Sequence, residues 1–473
     1  MTVRGRSERG KGARGEVVKQ EPESSRAWDE SASNARRGDG TRIGARRPLG
    51  VLRSLADVRD DEWTALRHAG LFLFCLLASN YLVRPIRDEM GVAGGPEHLP
   101  ALFTGTLVSM LLVWPLLSAW IGSRAGRSSI GAILRAHQVM LLAFFGAFQV
   151  VPAEGFAWAA RLFFVWASVT NLLIVSIAWG SLAGRFTSDQ ARRLFGLIAA
   201  GGALGGIAGS ALAGVVGRLA GPAPLMLPAV LFLEIGHRAG RRTLAPAVDS
   251  RAASEPAREV RAEPPRSTAG DRIYLVCLGL WTLLFTTTSA FVYLEQARIV
   301  EASIGDPAVR TAFFARIDLL VNVVGLAMQL VMTAWILGSF GVGAAAAMLP
   351  AVTIVGMIAL TTWPSVATVQ WFQVARRAMD YAVARPSREI FYTVVDPRRL
   401  LRAKGLIDTA VYRAGDAAGA WTYGLLTAAP GMPAAAPAAA VVALSVVWIV
   451  LSLGLGAAMS GRAACNRERN YSA

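Results

Sequence analysis

The charged side chains between Arg376 and Asp416 have the chemistry to bind a multiply charged anion inside a membrane. The stretch has almost purely apolar flanks, and it contains Arg376, Arg377, Asp380, Arg385, Arg388, Glu389, Asp408, Arg413 and Asp416. An ionisable side chain at bilayer depth is costly unless it is paired or faces water, so such residues mark ligand paths or locks between helices. A guanidinium group is a planar fork that can grip phosphate oxygens in pairs. We therefore expect a polar, basic interior that admits an anion.

A second charged cluster lies at the end of the first apolar segment. Arg84, Arg87 and Asp88 stand at positions i, i+3 and i+4. On a helix, this spacing puts both guanidinium groups on one face with a carboxylate close to them. The alternative is a cluster at the membrane surface, whose long side chains reach out to the lipid headgroups. The spacing alone leaves both interpretations open.

Other apolar segments carry further acids and bases. Glu295 and Arg298 lie three residues apart, and Asp318 lies in the next segment. Several guanidinium groups facing one cavity favour a multiply charged anion over a neutral solute. The predicted substrate-binding residues are Arg84, Arg87, Glu295, Arg298, Asp318, Arg385, Arg388, Glu389, Asp408 and Arg413.

The composition predicts a membrane protein. The chain has 473 residues, of which 54% are hydrophobic and 17% are charged, and its mean hydropathy is +0.43. A soluble domain of this size would be far less apolar. The net charge of +16 comes mainly from the first 60 residues and from loops between apolar runs, so it reflects the positive-inside bias and predicts no nucleic-acid partner.

Nothing in the sequence indicates an enzyme, a metal site or a cofactor. The four histidines, His68, His98, His137 and His237, have no metal-ligand spacing, and no serine–histidine–aspartate set can be argued. The three cysteines are scattered along the chain, which excludes a metal knuckle or a disulfide framework. We therefore expect no cofactor, and a lipid bilayer as the main partner besides a small anion.

Twelve apolar segments have the length of a membrane-spanning helix. They lie near 67–84, 100–121, 129–151, 157–182, 194–217, 221–238, 272–297, 312–336, 340–362, 366–393, 405–428 and 434–458. The polar stretch 241–271 separates six segments from six. We expect an all-α polytopic membrane protein with a disordered basic tail (1–60), two six-helix halves (61–240 and 272–460), a linker (241–271) and a short tail (461–473), both termini being cytoplasmic.

Two short sequences suggest how the halves are related and how the helices pack. Residues 189–198 and 396–407 share an Asp, paired arginines and a Gly-Leu-Ile sequence before a helix, as in a parallel-repeat carrier of the major-facilitator kind. The alternative is that they are simply two similar cytoplasmic loops.

The fifth segment contains Gly201, Gly202, Gly205, Gly206 and Gly209. Because no strand precedes these glycines and no GK[ST] follows them, we interpret them as a close helix-packing surface, not a phosphate loop.

Five strings resemble the ATP:ADP antiporter family, the nucleotide transporters of plastids and intracellular bacteria, and are still more similar to its relatives in free-living bacteria. They are YLVRPIRDEMGVAGG, SDQARRLFGLIAAGGALGGIAG, FVYLEQARIVE, RTAFFARIDLLVNV and RPSREIFYTVVDPRRLLRAKGLIDTAVYRAGDA. The resemblance extends over about residues 65–455. It implies a twelve-helix carrier in the bacterial inner membrane that exchanges ATP, ADP or similar nucleotides without a metal or an enzyme step.

The resemblance also implies which residues bind the substrate. The family's functional basic, acidic and basic positions fall on Arg87, Glu295 and Arg388, where the nucleotide exchangers have lysine at the first and third. In this hypothesis Arg87 and Arg388 bind the anion in one chamber, and Glu295 pairs with Arg298 or with a neighbouring helix when the site is empty.

One difference from the family leaves the substrate open. The exchangers have a glutamate in helix four, where residues 164–171 offer only Ser168, Thr170 and Asn171. The same scaffold could therefore carry another organic anion. The remaining alternatives are a major-facilitator carrier of an unrelated solute and a non-transporting membrane scaffold whose charges are structural locks.

Overall fold

The computed structural model describes residues 58–59, 62–122, 126–183, 185–243, 269–395 and 403–471. Three sequence predictions lie wholly or largely outside these ranges: the N-terminal tail, most of the linker, and the start of the second loop motif at 396–402.

The described chain folds into twelve helices and contains no strand, which confirms the all-α class. Ten are α1 (Trp63–Ala93), α2 (Leu99–Gly122), α3 (Gly126–Val150), α4 (Ala153–Ala183), α5 (Ser188–Ala220), α6 (Met226–Thr243), α7 (Ala269–Ser303), α8 (Pro307–Val331), α9 (Thr333–Thr362) and α12 (Ala436–Tyr471). The other two contain π-helical turns. Helix α10 consists of Val366–Met379, the π-turn Asp380–Ala384 and Arg385–Tyr392, and α11 of the π-turn Ile407–Val411 and Tyr412–Ala428.

Eight of these described helices are long and apolar enough to cross a membrane by length and composition, namely α1, α3, α4, α5, α7, α8, α9 and α12. Two of the other four, α10 and α11, carry the arginines and aspartates of the 376–416 stretch. These charged residues make α10 and α11 less apolar than the other helices, and they supply the polar interior predicted above.

Several helix boundaries differ from the sequence prediction. Helix α12 continues to Tyr471 and so includes most of the predicted short tail at 461–473. Two other differences have a clear physical cause. Helix α1 continues to Ala93 instead of ending at residue 84, because the charged residues that end its apolar run find partners inside the protein. Helix α8 ends at Val331, and the predicted break near 337–339 is a kink within α9, where Gly341 adopts a φ of 77°. This left-handed conformation is readily available only to glycine.

Polar side chains at the first residues of three helices fix where those helices begin. The Thr187 hydroxyl accepts a hydrogen bond from the Gln190 backbone in a capping box at the start of α5. Asp306 caps α8 by accepting from Ala308 N at 2.8 Å. Ser365 caps α10. Each cap satisfies a backbone donor that the first turn leaves unpaired.

The glycines of α5 pack against the backbone of α1, as predicted. A methyl group at Gly201 would lie 2.9 Å from the carbonyl oxygen of Gly70. Methyl groups at Gly205 and Gly209 would collide with the carbonyls of Phe74 and Ala78. Only residues without a Cβ allow two helix backbones to come this close.

Helices α1–α6 form the N-terminal half of the bundle and α7–α12 the C-terminal half. Within the halves, α1 packs against α4, α5 and α6, and α7 packs against α11 and α12. Between the halves, α5 contacts α8, α2 contacts α11, and α1 contacts α7 and α8. The site described below lies along these contacts between the halves.

Candidate functional site

A cavity of about 640 Å³, here called the chamber, lies between the two halves. Its volume falls within the roughly 300–1,000 Å³ typical of small-molecule sites. Four arginines line it: Arg84 and Arg87 on α1, Arg385 on α10 and Arg413 on α11. Both halves therefore present guanidinium groups to one space.

Arg84 connects the two halves through an aspartate that it shares with a second arginine. Its Nε lies 3.6 Å from Asp318 Oδ1 on α8, and its Nη1 lies 3.4 Å from the Tyr381 hydroxyl on α10. Arg377 holds the same aspartate more tightly, at 2.6 Å. Neither Arg84 Nε nor Asp318 Oδ2 has a hydrogen-bond partner among the described residues. Asp318 is therefore paired mainly with Arg377, and Arg84 is held loosely.

Arg87 faces the chamber next to two aromatic rings. It donates two hydrogen bonds to Asp88 at 2.5 and 3.0 Å, and its guanidinium lies 5.7 Å from the ring centre of Phe164 and 5.9 Å from that of Tyr293. The Tyr293 hydroxyl on α7 donates to the same Asp88 oxygen at 3.1 Å. These contacts fix the guanidinium at the chamber wall, so the alternative of a headgroup-facing cluster is not what this structure shows.

The C-terminal half contributes two further ion pairs at the wall. Arg385 donates to Asp380 at 3.0 Å and lies over the Tyr381 ring at 4.4 Å. Arg413 donates to Asp416 at 3.1 Å, one turn along α11. Asp416 is the one carboxylate among the described lining residues. The acids that pair with the other three arginines, Asp318, Asp88 and Asp380, are not among the lining residues, so the chamber surface exposes more basic than acidic groups.

Tyrosines form a part of the site that sequence reasoning missed. The chain has eight tyrosines, and four of them line the chamber: Tyr81, Tyr293, Tyr381 and Tyr412. A usable signal was present, since a tyrosine deep inside an apolar segment needs a polar partner for its hydroxyl.

Neutral polar and aromatic side chains complete the wall, mostly from the N-terminal half. Those from α1, α2, α4 and α8 include Asn80, Phe103, Ser168, Asn171, Trp179 and Asn322. Ser168 and Asn171, named above as replacements for the missing helix-four acid, both face the chamber.

Arg388 and Asp408 lie outside the chamber. The Arg388 guanidinium is 3.8 Å from Asp408 across α10 and α11, and it lines a separate small cavity of about 40 Å³. Arg385 and Tyr412 line both spaces. The predicted convergence of Arg87 and Arg388 on one chamber is therefore not seen, and Arg385 and Arg413 take the place assigned to Arg388.

Three other predicted residues lie away from the chamber. Glu389 is exposed and pairs with Lys404 at 2.5 Å. Glu295 pairs with the exposed Arg298 and accepts a hydrogen bond from the Tyr423 hydroxyl at 2.6 Å. The Glu295–Arg298 pair thus forms as expected, but on the side of α7 that faces α11, not among the chamber-lining residues described.

The structure is similar to several solved transporters. It matches the nucleoside transporter NupG with a TM-score of 0.55 at 13% identity, covering 85% of this chain and 99% of that one. It matches a bacterial homologue of the iron transporter ferroportin in the inward-facing state with a TM-score of 0.60 at 13% identity, covering 84% and 100%. It matches a bacterial homologue of the human lysosomal transporter Spinster, inward-facing and unoccupied, with a TM-score of 0.54 at 13% identity, covering 86% of this chain and 97% of that one.

The chain has the major-facilitator fold. No protein-family model and no curated protein matches it. At such low identity, the solved structures establish the architecture of the major-facilitator bundle.

One end of this major-facilitator bundle is closed by contacts between the halves. At this closed end, where α1 and α7 finish, Arg310 of α8 donates two hydrogen bonds, each of 2.7 Å, to Glu89 of α1, which is fully buried. Nearby, Trp421 Nε1 donates to Thr104 Oγ1 at 2.9 Å and ties α11 to α2. The chamber extends in the opposite direction, to Trp179 and Gln329 near the last residues of α4 and α8.

Proposed function

We propose that this protein is a membrane carrier that moves an organic anion, of the nucleotide class or closely related to it, by alternating access. One observation carries the proposal: arginines from both halves, Arg84 and Arg87 on one side and Arg385 and Arg413 on the other, line one chamber. An anion bound there would contact both halves at once. Rocking of the halves around such a site is how carriers of this architecture expose it to either side.

The shape of the wall supports a substrate with two chemically different ends. The arginines suit phosphate or carboxylate oxygens. Asn80 and Asn171 offer amide donors and acceptors, and Trp179 an aromatic face. A nucleotide has an anionic group, a hydrogen-bonding base and a flat ring, so it fits this combination, as the resemblance to the ATP:ADP antiporter family implies. A related anion with one charged and one aromatic end would fit equally.

The shared aspartate suggests how binding unlocks the halves. Arg84 of the N-terminal half lies 3.6 Å from Asp318, which Arg377 already holds at 2.6 Å. An anion that binds Arg84 would leave Asp318 paired with Arg377 and would break the contact between Arg84 and Asp318 that joins the halves. A ligand that replaces this contact in both end states lowers the barrier between the two states, which would favour exchange.

Two residues from the resemblance keep a proposed role outside the chamber. The cavity beside Arg388 shares Arg385 and Tyr412 with the chamber, which supports a role in which Arg388 meets the anion as it enters or leaves. Glu295 would tie α7 to α11 through the Tyr423 hydroxyl. With both termini cytoplasmic in a bacterial inner membrane, as the loop charges indicate, the chamber in this structure would reach the cytoplasmic face.

Uptake into proteoliposomes tests the proposal. Purified full-length protein would be reconstituted into vesicles loaded with ADP, and entry of labelled ATP, ADP, orthophosphate, a dicarboxylate and uridine would be compared. We expect uptake of at least one organic anion that depends on internal anion, and none of uridine. Uptake of uridine alone, or of no anion, would refute the anion-carrier proposal.

Variants separate the chamber from the side cavity. Arg413→Gln should lower anion uptake at least tenfold, because it removes one of four wall charges. Arg388→Gln should lower the rate with a smaller effect on substrate affinity, because Arg388 lies beside the chamber. Arg135→Gln is the matched control, since Arg135 is exposed and pairs with Glu234 away from the chamber. Equal effects of all three substitutions would contradict the assignment of the chamber.

A further inference from the structure

Arg376 is a buried cation that has no carboxylate at ion-pair distance in the described part of the chain. Two arginines have less than a tenth of their surface exposed in the described part of the chain: Arg310 at 9% and Arg376 at 5%. Arg310 forms a double hydrogen bond with Glu89. For Arg376, no carboxylate of the described residues lies within 4.0 Å. Asp380, one turn further along α10, is paired with Arg385 instead, at 3.0 Å.

The contacts of Arg376 are neutral. Its Nε donates to Thr353 Oγ1 of α9 at 3.1 Å, and its Nη2 donates to Ser289 Oγ of α7 at 2.9 Å. Its guanidinium lies 5.7 Å from the centre of the Phe285 ring. These partners satisfy hydrogen bonds and orient the group, but none of them carries a negative charge.

The charge of Arg376 lies directly behind the chamber wall. Ser289 lines the chamber, and its hydroxyl donates to the backbone carbonyl of Phe285 at 2.6 Å. The Ser289 oxygen is thereby turned to accept from Arg376. The guanidinium is thus hydrogen-bonded at 2.9 Å to a side chain that lines the chamber.

A buried charge without a counter-ion is expensive, and leaving it unpaired is normally strongly destabilising. The cost is reduced when a negative charge enters the neighbouring chamber. We propose that Arg376 sets the charge selectivity of the carrier: through its field, and without touching the ligand, it favours anions of higher charge over anions of lower charge. This inference rests on the proposed function, because it assumes that an anion occupies the chamber.

The expected effect scales with the charge of the ligand. At about 10 Å and an effective dielectric constant of about 20, one fixed charge changes the affinity roughly tenfold for each unit of ligand charge. A nucleoside triphosphate carries about two more charges than the monophosphate. Removing the Arg376 charge should therefore reduce the preference for the triphosphate by up to about a hundredfold.

Competition binding with one nucleoside at three charge states tests this inference. Dissociation constants of AMP, ADP and ATP would be measured on the reconstituted full-length protein for wild type, Arg376→Gln and Arg376→Lys. We expect Arg376→Gln to weaken the binding of ATP much more than the binding of AMP. Arg376→Lys should keep most of the wild-type ratio of the AMP and ATP dissociation constants. Arg161→Gln is the matched control, since Arg161 also has no acidic partner among the residues described and donates to the Gly94 carbonyl at the closed end, outside the chamber.

Thermal unfolding without ligand distinguishes a field effect from a structural role. If the charge is uncompensated in the empty protein, Arg376→Gln should not lower the unfolding temperature. The inference is overturned if Arg376→Gln lowers that temperature and leaves the ATP-to-AMP ratio unchanged, or if all three nucleotides weaken equally. Wild-type protein that binds none of the three would instead refute nucleotide binding under the proposed function, and the inference with it.

Discussion

The Glu89–Arg310 pair should hold the closed end of the bundle shut. Glu89 is fully buried on α1 and Arg310 of α8 has 9% of its surface exposed, so the double hydrogen bond between them crosses the two halves in a dry environment. Glu89→Gln removes one charge and leaves the other without a counter-ion. We expect this substitution to favour separation of the halves at the closed end.

The size of the effect follows from the burial of the pair. Breaking a buried ion pair by removing one partner costs about 3–5 kcal/mol. If the alternative state is populated at about 1%, a loss of about 3 kcal/mol raises that population to roughly one half or more. The backbone carbonyls of Ile304 and Gly305, which accept from Arg310 at 3.0 and 3.3 Å, keep part of its hydrogen bonding and place the effect at the lower end of the range.

Distance distributions between spin labels would measure this shift. Labels on Glu97→Cys and Ser303→Cys, both exposed and on opposite halves at the closed end, would be introduced into protein whose native cysteines are replaced by serine. We expect one short distance in the labelled parent and an added longer population in Glu89→Gln.

Two further variants make the result decisive. Glu154→Gln, an exposed carboxylate at the start of α4, should leave the distances unchanged. Glu89→Gln combined with Arg310→Gln should recover part of the lost stability, since no unpaired charge remains, while the halves stay separable. An unchanged distance distribution in correctly folded Glu89→Gln protein would refute the idea that this pair closes the bundle.

Two more predictions concern stability. Arg193 donates to Glu62 at 2.7 and 3.0 Å and lowers the pKa of that carboxyl from its usual 4.5. The ionised carboxyl stabilises the fold fully above about pH 4.5, and this stabilisation is lost as the pH falls through the lowered pKa. Below about pH 4.5 the unfolding temperature of wild type should therefore fall more steeply than that of Glu62→Gln, and parallel curves would contradict this. Gly209→Ala should lower the free energy of unfolding by about 1–3 kcal/mol, because the added methyl group collides with the Ala78 carbonyl. Gly214→Ala, whose added methyl group has no neighbour within 4 Å, should be neutral or stabilising in chemical denaturation. Equal effects would argue against close packing of α1 and α5.

Most helices were predictable because they correspond to long apolar runs in the sequence, as the eight described helices of spanning length and composition show. The spacing of Arg84 and Arg87 predicted that they share a face of α1, but it left open whether that face turns to the interior or to the lipid headgroups. What the spacing could not give is the partner of each arginine. Arg376 and Arg377 are neighbours in the chain, yet one lies behind Ser289 and the other grips Asp318. Such assignments depend on how α7, α8 and α10 pack, which no local pattern encodes.

The error about Arg388 has a definite physical cause. Arg388 was expected in the chamber because the family resemblance implies that it binds the substrate, and no local pattern indicated that Arg385 would line the chamber in its place. In the structure, Asp408 of α11 lies 3.8 Å from Arg388, and Arg385 is held by Asp380 at the chamber wall. The tyrosines could not be found by a search for charged residues, because their hydroxyls are neutral, although the Tyr381 hydroxyl is a hydrogen-bond partner of Arg84.

The π-turn Asp380–Ala384 makes α10 tolerant of a change in chain length at one place. A π-turn accommodates one extra residue in an α-helix, so the helix on either side of it keeps the facing of an uninterrupted α-helix that is one residue shorter. Deleting a single residue within the π-turn should therefore restore regular winding and leave Arg385 and the residues after it on their present face. The same deletion in the regular part of α10 before the π-turn would instead rotate everything that follows by about 100°.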